Sequence, residues 1–120
     1  MQRTLTIHTR ATLLREAIAL MEADYATDLP LDHVARTIAT SRRQLQRCFA
    51  EHGDGSYRQC LARIRMQRAA ELLADTPLTV REVAARVGYR QQAQFAKAFA
   101  RQHGMAPMQY RASRRFAAAA

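Results

Sequence analysis

Apolar residues recur every three or four positions along most of the chain, which is the period of an amphipathic helix. In the first such segment, Leu14, Ile18 and Met21 follow one another at this spacing. No segment shows the convincing alternation of apolar and polar residues that a half-buried strand would have. The pattern therefore predicts an all-α protein of about seven helices. They are placed at residues 11–23, 31–38, 42–51, 57–74, 80–87, 91–102 and from 107 to about 111.

The boundaries of these helices follow from capping and breaking residues. Ser41, Ser56 and Thr79 each precede a predicted helix, and their hydroxyl oxygens can accept one of its free backbone N–H groups. Gly88 follows the fifth helix and can adopt the left-handed conformation that side chains resist. Residues 1–10 and the tail carry no strong signal, which predicts a frayed arm and a weakly helical end.

A helix-turn-helix pattern occurs twice in the chain. The first helix of the pattern repeats at an offset of 49 residues and the second at 50, so the added residue falls in the turn. The matching pairs are Val34 and Val83, Ala35 and Ala84, Ile38 and Val87, Leu45 and Phe95, and Phe49 and Phe99. This repeat predicts two helix-turn-helix subdomains joined by a long linker helix.

The predicted organisation has five parts. These are an N-terminal arm at 1–10, a first subdomain at 11–54, the linker helix at 55–75, a second subdomain at 76–112 and a tail at 113–120. A linker helix of about 18 residues is roughly 27 Å long. With the width of the units at its ends, this approaches the roughly 34 Å of one DNA turn. We therefore expect the second helices of the two patterns to enter successive major grooves of an asymmetric site.

The charge of the chain is strongly positive and unevenly distributed. The formal net charge is +9, and seven basic residues but no acidic ones follow Glu82. Of the 19 basic residues all but Lys97 are arginine, whose planar guanidinium can donate two parallel hydrogen bonds to phosphate or guanine. A genomic bias toward arginine and alanine codons would account for the arginines, but it would not account for the missing acids. The charge therefore favours a nucleic-acid partner over a merely solvated basic face.

Catalytic and metal chemistry have little support in this sequence. Cys48 and Cys60 lack CxxC spacing, and the four histidines form no cluster of ligand spacing. Cys48 lies on the apolar face of its helix, where a thiol acts as a small hydrophobe. We expect no cofactor, no metal and no enzymatic activity. No apolar run reaches the 18–20 residues or so of a membrane span, and the start lacks a signal peptide, so we expect a cytoplasmic protein with no membrane partner.

Several ordered segments of the sequence are similar to a known family. They are Arg-Ile-Arg-Met-Gln-Arg-Ala-Ala-Glu-Leu-Leu at 63–73, Val-Ala-Ala-Arg-Val-Gly-Tyr at 83–89, the Phe95 and Phe99 pair, and Gly-Met-Ala-Pro-Met-Gln-Tyr-Arg at 104–111. Together they resemble the AraC/XylS family of bacterial transcription regulators over residues 29–111. The resemblance implies two helix-turn-helix units on a long helix, binding to double-stranded promoter DNA and contact with RNA polymerase, most often as an activator. The short segment before the first unit is similar to the stand-alone members, which act as monomers on DNA.

The sequence departs from the family pattern at two places. Ala39 occupies the first turn where the family usually has glycine, and residues 90–94 lack the serine or aspartate that often opens the sixth helix. We expect each departure to cost about 1 kcal/mol, which weakens a unit without unfolding it.

The DNA-contacting residues are predicted on the outward faces of the third and sixth helices. Arginine can bridge guanine O6 and N7, and glutamine can bridge adenine N6 and N7. The predicted base-reading residues, which also match the family's base-facing positions, are Arg43, Gln46 and Arg47 on the third helix and Gln92, Ala93, Ala96 and Lys97 on the sixth. The two alanines would offer only contact with a thymine methyl group, or clearance. The predicted phosphate contacts are Arg42, Arg90, Gln91, Gln94, Arg101 and Arg111.

The second and fifth helices are predicted to be scaffold, although Arg36 or Arg81 could reach the DNA backbone. We expect the first unit to supply more of the specificity and the second more of the backbone grip.

Three alternatives remain open beside a sequence-specific regulator. The chain could be the DNA-binding fragment of a larger effector-responsive regulator. It could belong to a DNA-repair methyltransferase with a zinc-bound cysteine, although it lacks the required cysteine cluster. It could also bind nucleic acid without sequence preference, in which case its affinity would depend on salt but not on sequence.

Overall fold

The fold was analysed in a computed structural model that describes the backbone of residues 2–119 and the side chains of residues 9–115. These residues form seven helices and no strand, which confirms the all-α prediction. The helices are α1 (Gln2–Asp24), α2 (Leu31–Thr37), α3 (Arg42–His52), α4 (Tyr57–Asp75), α5 (Val80–Arg86), α6 (Gln92–His103) and α7 (Pro107–Ala119).

The two terminal helices are longer than predicted. The predicted arm at 1–10 is helical from Gln2 onward, and α7 runs to Ala119 through most of the predicted tail. These stretches have no clear apolar period in the sequence, so the pattern did not identify them as helical. Each residue added to an existing helix gains a hydrogen bond without a new nucleation cost.

The chain divides into two compact units, and the division falls inside α4. The first unit ends at Leu61 and the second begins at Ala62. The first turn of α4 therefore belongs to the first unit, and the rest of the helix belongs to the second.

The first unit has a core in which α1 packs against α2 and α3. Ala17 and Met21 of α1 are fully buried, as are Val34 of α2 and Leu45 of α3. The ring of Phe49 meets Tyr57 edge to face, with 5.7 Å between centroids. The outward face of α3 is therefore the side opposite the contact with α1.

The second unit has an aromatic core around α6. Phe95 and Phe99 are fully buried, and the Phe99 ring lies edge to face against Tyr110 at 5.4 Å. His103, at the end of α6, places its Nε2 atom 3.2 Å from the Met66 carbonyl oxygen of α4. These contacts fix α6 by its inner face and by its C-terminal end.

The first helix-turn-helix turn is closed by backbone hydrogen bonds around Ala39. The Ala39 N–H donates to the Arg36 carbonyl at 3.1 Å, and the Thr40 N–H donates to the Ala35 carbonyl at 2.8 Å. Ala39 has a φ of 59°, and it is the only residue other than glycine with positive φ in the described chain. This pair of bonds is the Schellman arrangement, which normally places glycine at that position.

The second turn repeats the same bonds with glycine in place. The Gly88 N–H donates to the Ala85 carbonyl at 3.1 Å, and the Tyr89 N–H donates to the Ala84 carbonyl at 2.9 Å. Gly88 has a φ of 94°, as predicted. The two turns therefore share one backbone design, and the first holds an alanine where the second has its glycine.

Replacing Ala39 by glycine is expected to stabilise the first unit by about 0.5–1 kcal/mol. The left-handed conformation costs an L-residue roughly 1–2 kcal/mol, and the greater freedom of glycine in the unfolded chain offsets part of that gain. Urea unfolding followed by circular dichroism measures the change. Ala50→Gly is the control. Ala50 lies inside α3, so this substitution should lower the free energy of unfolding by about 1 kcal/mol. A loss of stability in Ala39→Gly as well would contradict the strain at this turn.

Candidate nucleic-acid interface

α3 is held at its start by a cap and along its length by a buried stripe. The Ser41 hydroxyl oxygen accepts the Gln44 N–H at 3.1 Å, as predicted for an N-cap. Leu45, Cys48 and Phe49 are at most 3% exposed. With one face fixed in this way, the residues of the opposite face are presented to solvent in a defined orientation.

Arg43, Gln46 and Arg47 lie together on that outward face. Positions three and four apart are neighbours on a helix surface, and all three side chains are exposed. Within residues 9–115, none of these three side chains forms a hydrogen bond or an ion pair. Their guanidinium and amide groups are therefore available to a ligand.

Arg42 precedes this group and has a partner on α2. Its Nη1 atom lies 3.3 Å from Oδ2 of Asp32, and both side chains are more than half exposed. A predicted phosphate contact is thus paired with an acid in the free protein.

α6 begins without a side-chain cap and ends with a glycine. Gln91 occupies the N-cap position in an extended conformation and makes no capping hydrogen bond from its side chain, as expected for this segment. Gly104 ends the helix in the left-handed conformation, with a φ of 75°. The free N–H groups of the first turn of α6 therefore depend on solvent or a ligand.

The predicted reading residues of α6 share one side of the helix. Gln92, Ala93 and Lys97 are exposed, and Ala96 is half-buried. The remaining exposed residues of the predicted phosphate set are Arg90, Gln91, Gln94 and Arg101. Two of the four reading positions are alanine, so this face carries fewer hydrogen-bonding groups than that of α3.

Arg111 is a correction to the predicted phosphate set. Its side chain is only 6% exposed. Its Nε donates to the Leu73 carbonyl at 3.0 Å and its Nη2 to the Thr76 carbonyl at 3.3 Å. The helical partner of the Leu73 carbonyl would be the N–H of residue 77, but proline has none. Arg111 therefore ties α7 to the end of α4, and its guanidinium is not free for DNA.

The second helix-turn-helix begins with a reciprocal cap that sequence reasoning found only in part. Thr79 was predicted as the cap, and its hydroxyl accepts the Glu82 N–H at 3.1 Å. Glu82 completes the box by accepting the Thr79 N–H at 3.2 Å. This backbone hydrogen bond, and then one from the Thr79 hydroxyl, lower the pKa of Glu82. The spacing Thr-x-x-Glu was the signal that identifies such a box.

Metal binding and cysteine chemistry have no candidate site in the described residues. Residues 9–115 contain no group of three histidine, cysteine or acidic side chains able to hold a metal. Burial raises the pKa of the Cys48 thiol, which suits an unreactive core residue. No helix in the described part of the chain is both long and apolar enough to cross a membrane.

Comparison with known proteins agrees with this geometry. A family model described as a helix-turn-helix domain matches residues 34–113. A solved transcriptional regulator with an AraC-type DNA-binding domain, from Chromobacterium violaceum, superimposes with a TM-score of 0.82 at 28% identity, covering 86% of this chain and 92% of that one. The chain belongs to the AraC-type family of helix-turn-helix transcription regulators.

Curated relatives of this AraC-type chain are named as helix-turn-helix transcriptional regulators. The transcriptional regulator MtrA of Neisseria gonorrhoeae is 40% identical over 81 residues, which cover 68% of this chain and 27% of MtrA. The regulator GbdR of Pseudomonas aeruginosa is 34% identical over 94 residues, covering 78% of this chain and 26% of GbdR. The chain thus spans about a quarter of the length of these curated relatives. They are named as transcription regulators, and the AraC-type chain is a DNA-binding domain of that kind.

Proposed function

We propose that this AraC-type chain reads promoter DNA through two recognition helices, α3 and α6, placed in successive major grooves. The observation that carries the proposal is the outward face of α3, where Arg43, Gln46 and Arg47 are exposed and unpaired within the described residues. In a helix-turn-helix unit the second helix enters the major groove and its N-terminal half contacts the bases.

The second unit supports the proposal with a matching helix. Gln92 and Lys97 are its polar readers, and the exposed groups Arg90, Gln91, Gln94 and Arg101 suit phosphate contacts.

The DNA-binding domain of AdpA, solved in complex with a target DNA, superimposes with a TM-score of 0.79 at 30% identity. It covers 85% of this chain and 92% of that one.

We also propose how the chain assembles on the promoter. The chain binds as a monomer, since two reading helices on one chain replace the symmetric dimer of simpler helix-turn-helix proteins. Its place of action is the cytoplasm. It acts as an activator through contact with RNA polymerase.

A binding-site selection from random double-stranded DNA tests this function. We expect an enriched, asymmetric motif with two elements centred about 10–10.5 base pairs apart. Recovery of no motif would exclude sequence-specific reading and favour the nonspecific binder. A single element would exclude the two-groove arrangement. Transcription by RNA polymerase from a promoter with the selected site upstream should rise when the protein is added, and a fall would contradict the activator role.

A second candidate is that the chain serves as the DNA-binding part of a longer effector-responsive regulator. The observation in its favour is the length of the curated relatives, of which the chain spans about a quarter. An open reading frame that continues upstream of Met1 in the genome would support it, and an in-frame stop codon directly upstream would contradict it.

A further inference from the structure

The two helix-turn-helix units differ in charge at one equivalent place. Asp32 lies in the first turn of α2, and its counterpart at an offset of 49 is Arg81, in the first turn of α5. Arg42 is the first residue of α3, and its counterpart at an offset of 50 is Gln92, the first residue of α6. The acid of the first unit is therefore replaced by a base in the second, and the base of the first unit is replaced by an amide.

The acid and the base of the first unit form an exposed ion pair. The Nη1 atom of Arg42 lies 3.3 Å from Oδ2 of Asp32, with side-chain exposures of 59% and 56%. Such a pair gains little free energy in water, so a phosphate group that reaches Arg42 can replace the carboxylate. A phosphate that stays at a distance cannot, because Asp32 neutralises the arginine and repels the incoming anion.

We propose that Asp32 is a positioning residue that withholds Arg42 from phosphate in loose complexes and releases it when α3 is fully seated. This inference rests on the proposed function. Nonspecific affinity comes from neutralised phosphates, so withholding one arginine weakens binding to the wrong sequences. A seated α3 brings a phosphate into direct hydrogen-bonding geometry, where a charge-assisted bond to Arg42 is strong. Asp32 thereby increases the ratio of specific to nonspecific affinity.

The test is Asp32→Asn, a substitution of nearly equal size at an exposed position. Dissociation constants are measured from about 50 to 300 mM salt on a duplex carrying the selected site and on a scrambled duplex of equal length. We expect binding to the scrambled duplex to tighten about two- to fivefold. The plot of log affinity against log salt on that duplex should steepen by about 0.9, which is one added phosphate contact. Binding to the selected site should change less, so the specificity ratio should fall.

Two further variants separate the action through Arg42 from a plain change of charge. In an Arg42→Gln background, Asp32→Asn should leave the salt slope unchanged. Glu16→Gln removes the same charge from an exposed residue of α1 that has no partner in the described chain, and it should leave both duplexes unaffected. An unchanged slope in Asp32→Asn, or an equal change in the Arg42→Gln background or in Glu16→Gln, would overturn the inference.

The same titrations distinguish a failure of this inference from a failure of the proposed function. A wild-type protein that bound both duplexes equally would contradict sequence-specific reading. The slope on the scrambled duplex would still decide whether Asp32 withholds Arg42.

Discussion

Replacing Arg111 by methionine is expected to lower the free energy of unfolding by about 2–4 kcal/mol. The change keeps most of the side-chain volume but removes both donors from the Leu73 and Thr76 carbonyls. Pro77 has no N–H with which to replace the lost bond to Leu73. The buried Leu73 carbonyl left without a partner costs about 1–3 kcal/mol, and the part-buried Thr76 carbonyl adds a smaller cost. Urea unfolding monitored by the helical circular dichroism signal measures the loss.

Arg101→Met is the matched control for this prediction. Arg101 is an exposed arginine on α6, so its replacement should change the free energy of unfolding by no more than about 0.5 kcal/mol. It should instead reduce the salt slope of DNA binding by about 0.9, whereas Arg111→Met should keep the wild-type slope while folded. The reverse pattern, a stable Arg111→Met protein with a shallower slope, would restore Arg111 to the phosphate set.

Replacing Arg47 by alanine is expected to cost about 1–3 kcal/mol of binding free energy on the selected site and to relax base preference at one position. The physical reason is the loss of a two-pronged donor from the centre of the outward face of α3. A repeated selection with the variant locates the relaxed position, and titration on the selected and scrambled duplexes measures the cost. The loss on the scrambled duplex should be smaller, since a nonspecific complex makes no base contact there.

Arg58→Ala provides the comparison for Arg47→Ala. Arg58 is also exposed but lies on α4. Its replacement by alanine therefore removes the same charge without changing α3. We expect the selected motif to stay unchanged. An equal loss of affinity on both duplexes in Arg47→Ala, with an unchanged motif, would show that Arg47 holds phosphate and reads no base.

Local features of this fold were predictable from sequence because their partners lie within one helical turn. Ser41 was identified as a cap three residues from the N–H that it binds, and Gly88 was identified from the turn that it closes. The outward faces of α3 and α6 followed from apolar period alone, since burial of one side exposes the other. The functional assignment of those faces remains a prediction.

Features that join distant segments were not predictable. The role of Arg111 depends on carbonyls 38 and 35 residues away and on a proline that cannot donate. An exposed arginine and a buried one look alike in a basic sequence, so charge alone assigned it to DNA. The pair of Asp32 and Arg42 joins two helices, and the signal that could have found it was the reversal of charge at Arg81 in the second copy.

Because the two turns share one backbone design, the outward faces of α3 and α6 are presented in equivalent ways. Because the same hydrogen bonds close both turns, residues at an offset of 50 hold equivalent places on α3 and α6. Arg43, Gln46 and Arg47 thus correspond to Ala93, Ala96 and Lys97. A duplicated unit of this kind can diverge at three surface positions while its folding signals stay intact. Under the proposed function, evolution or protein engineering can then change half of the DNA target without redesigning the scaffold that presents the reading residues.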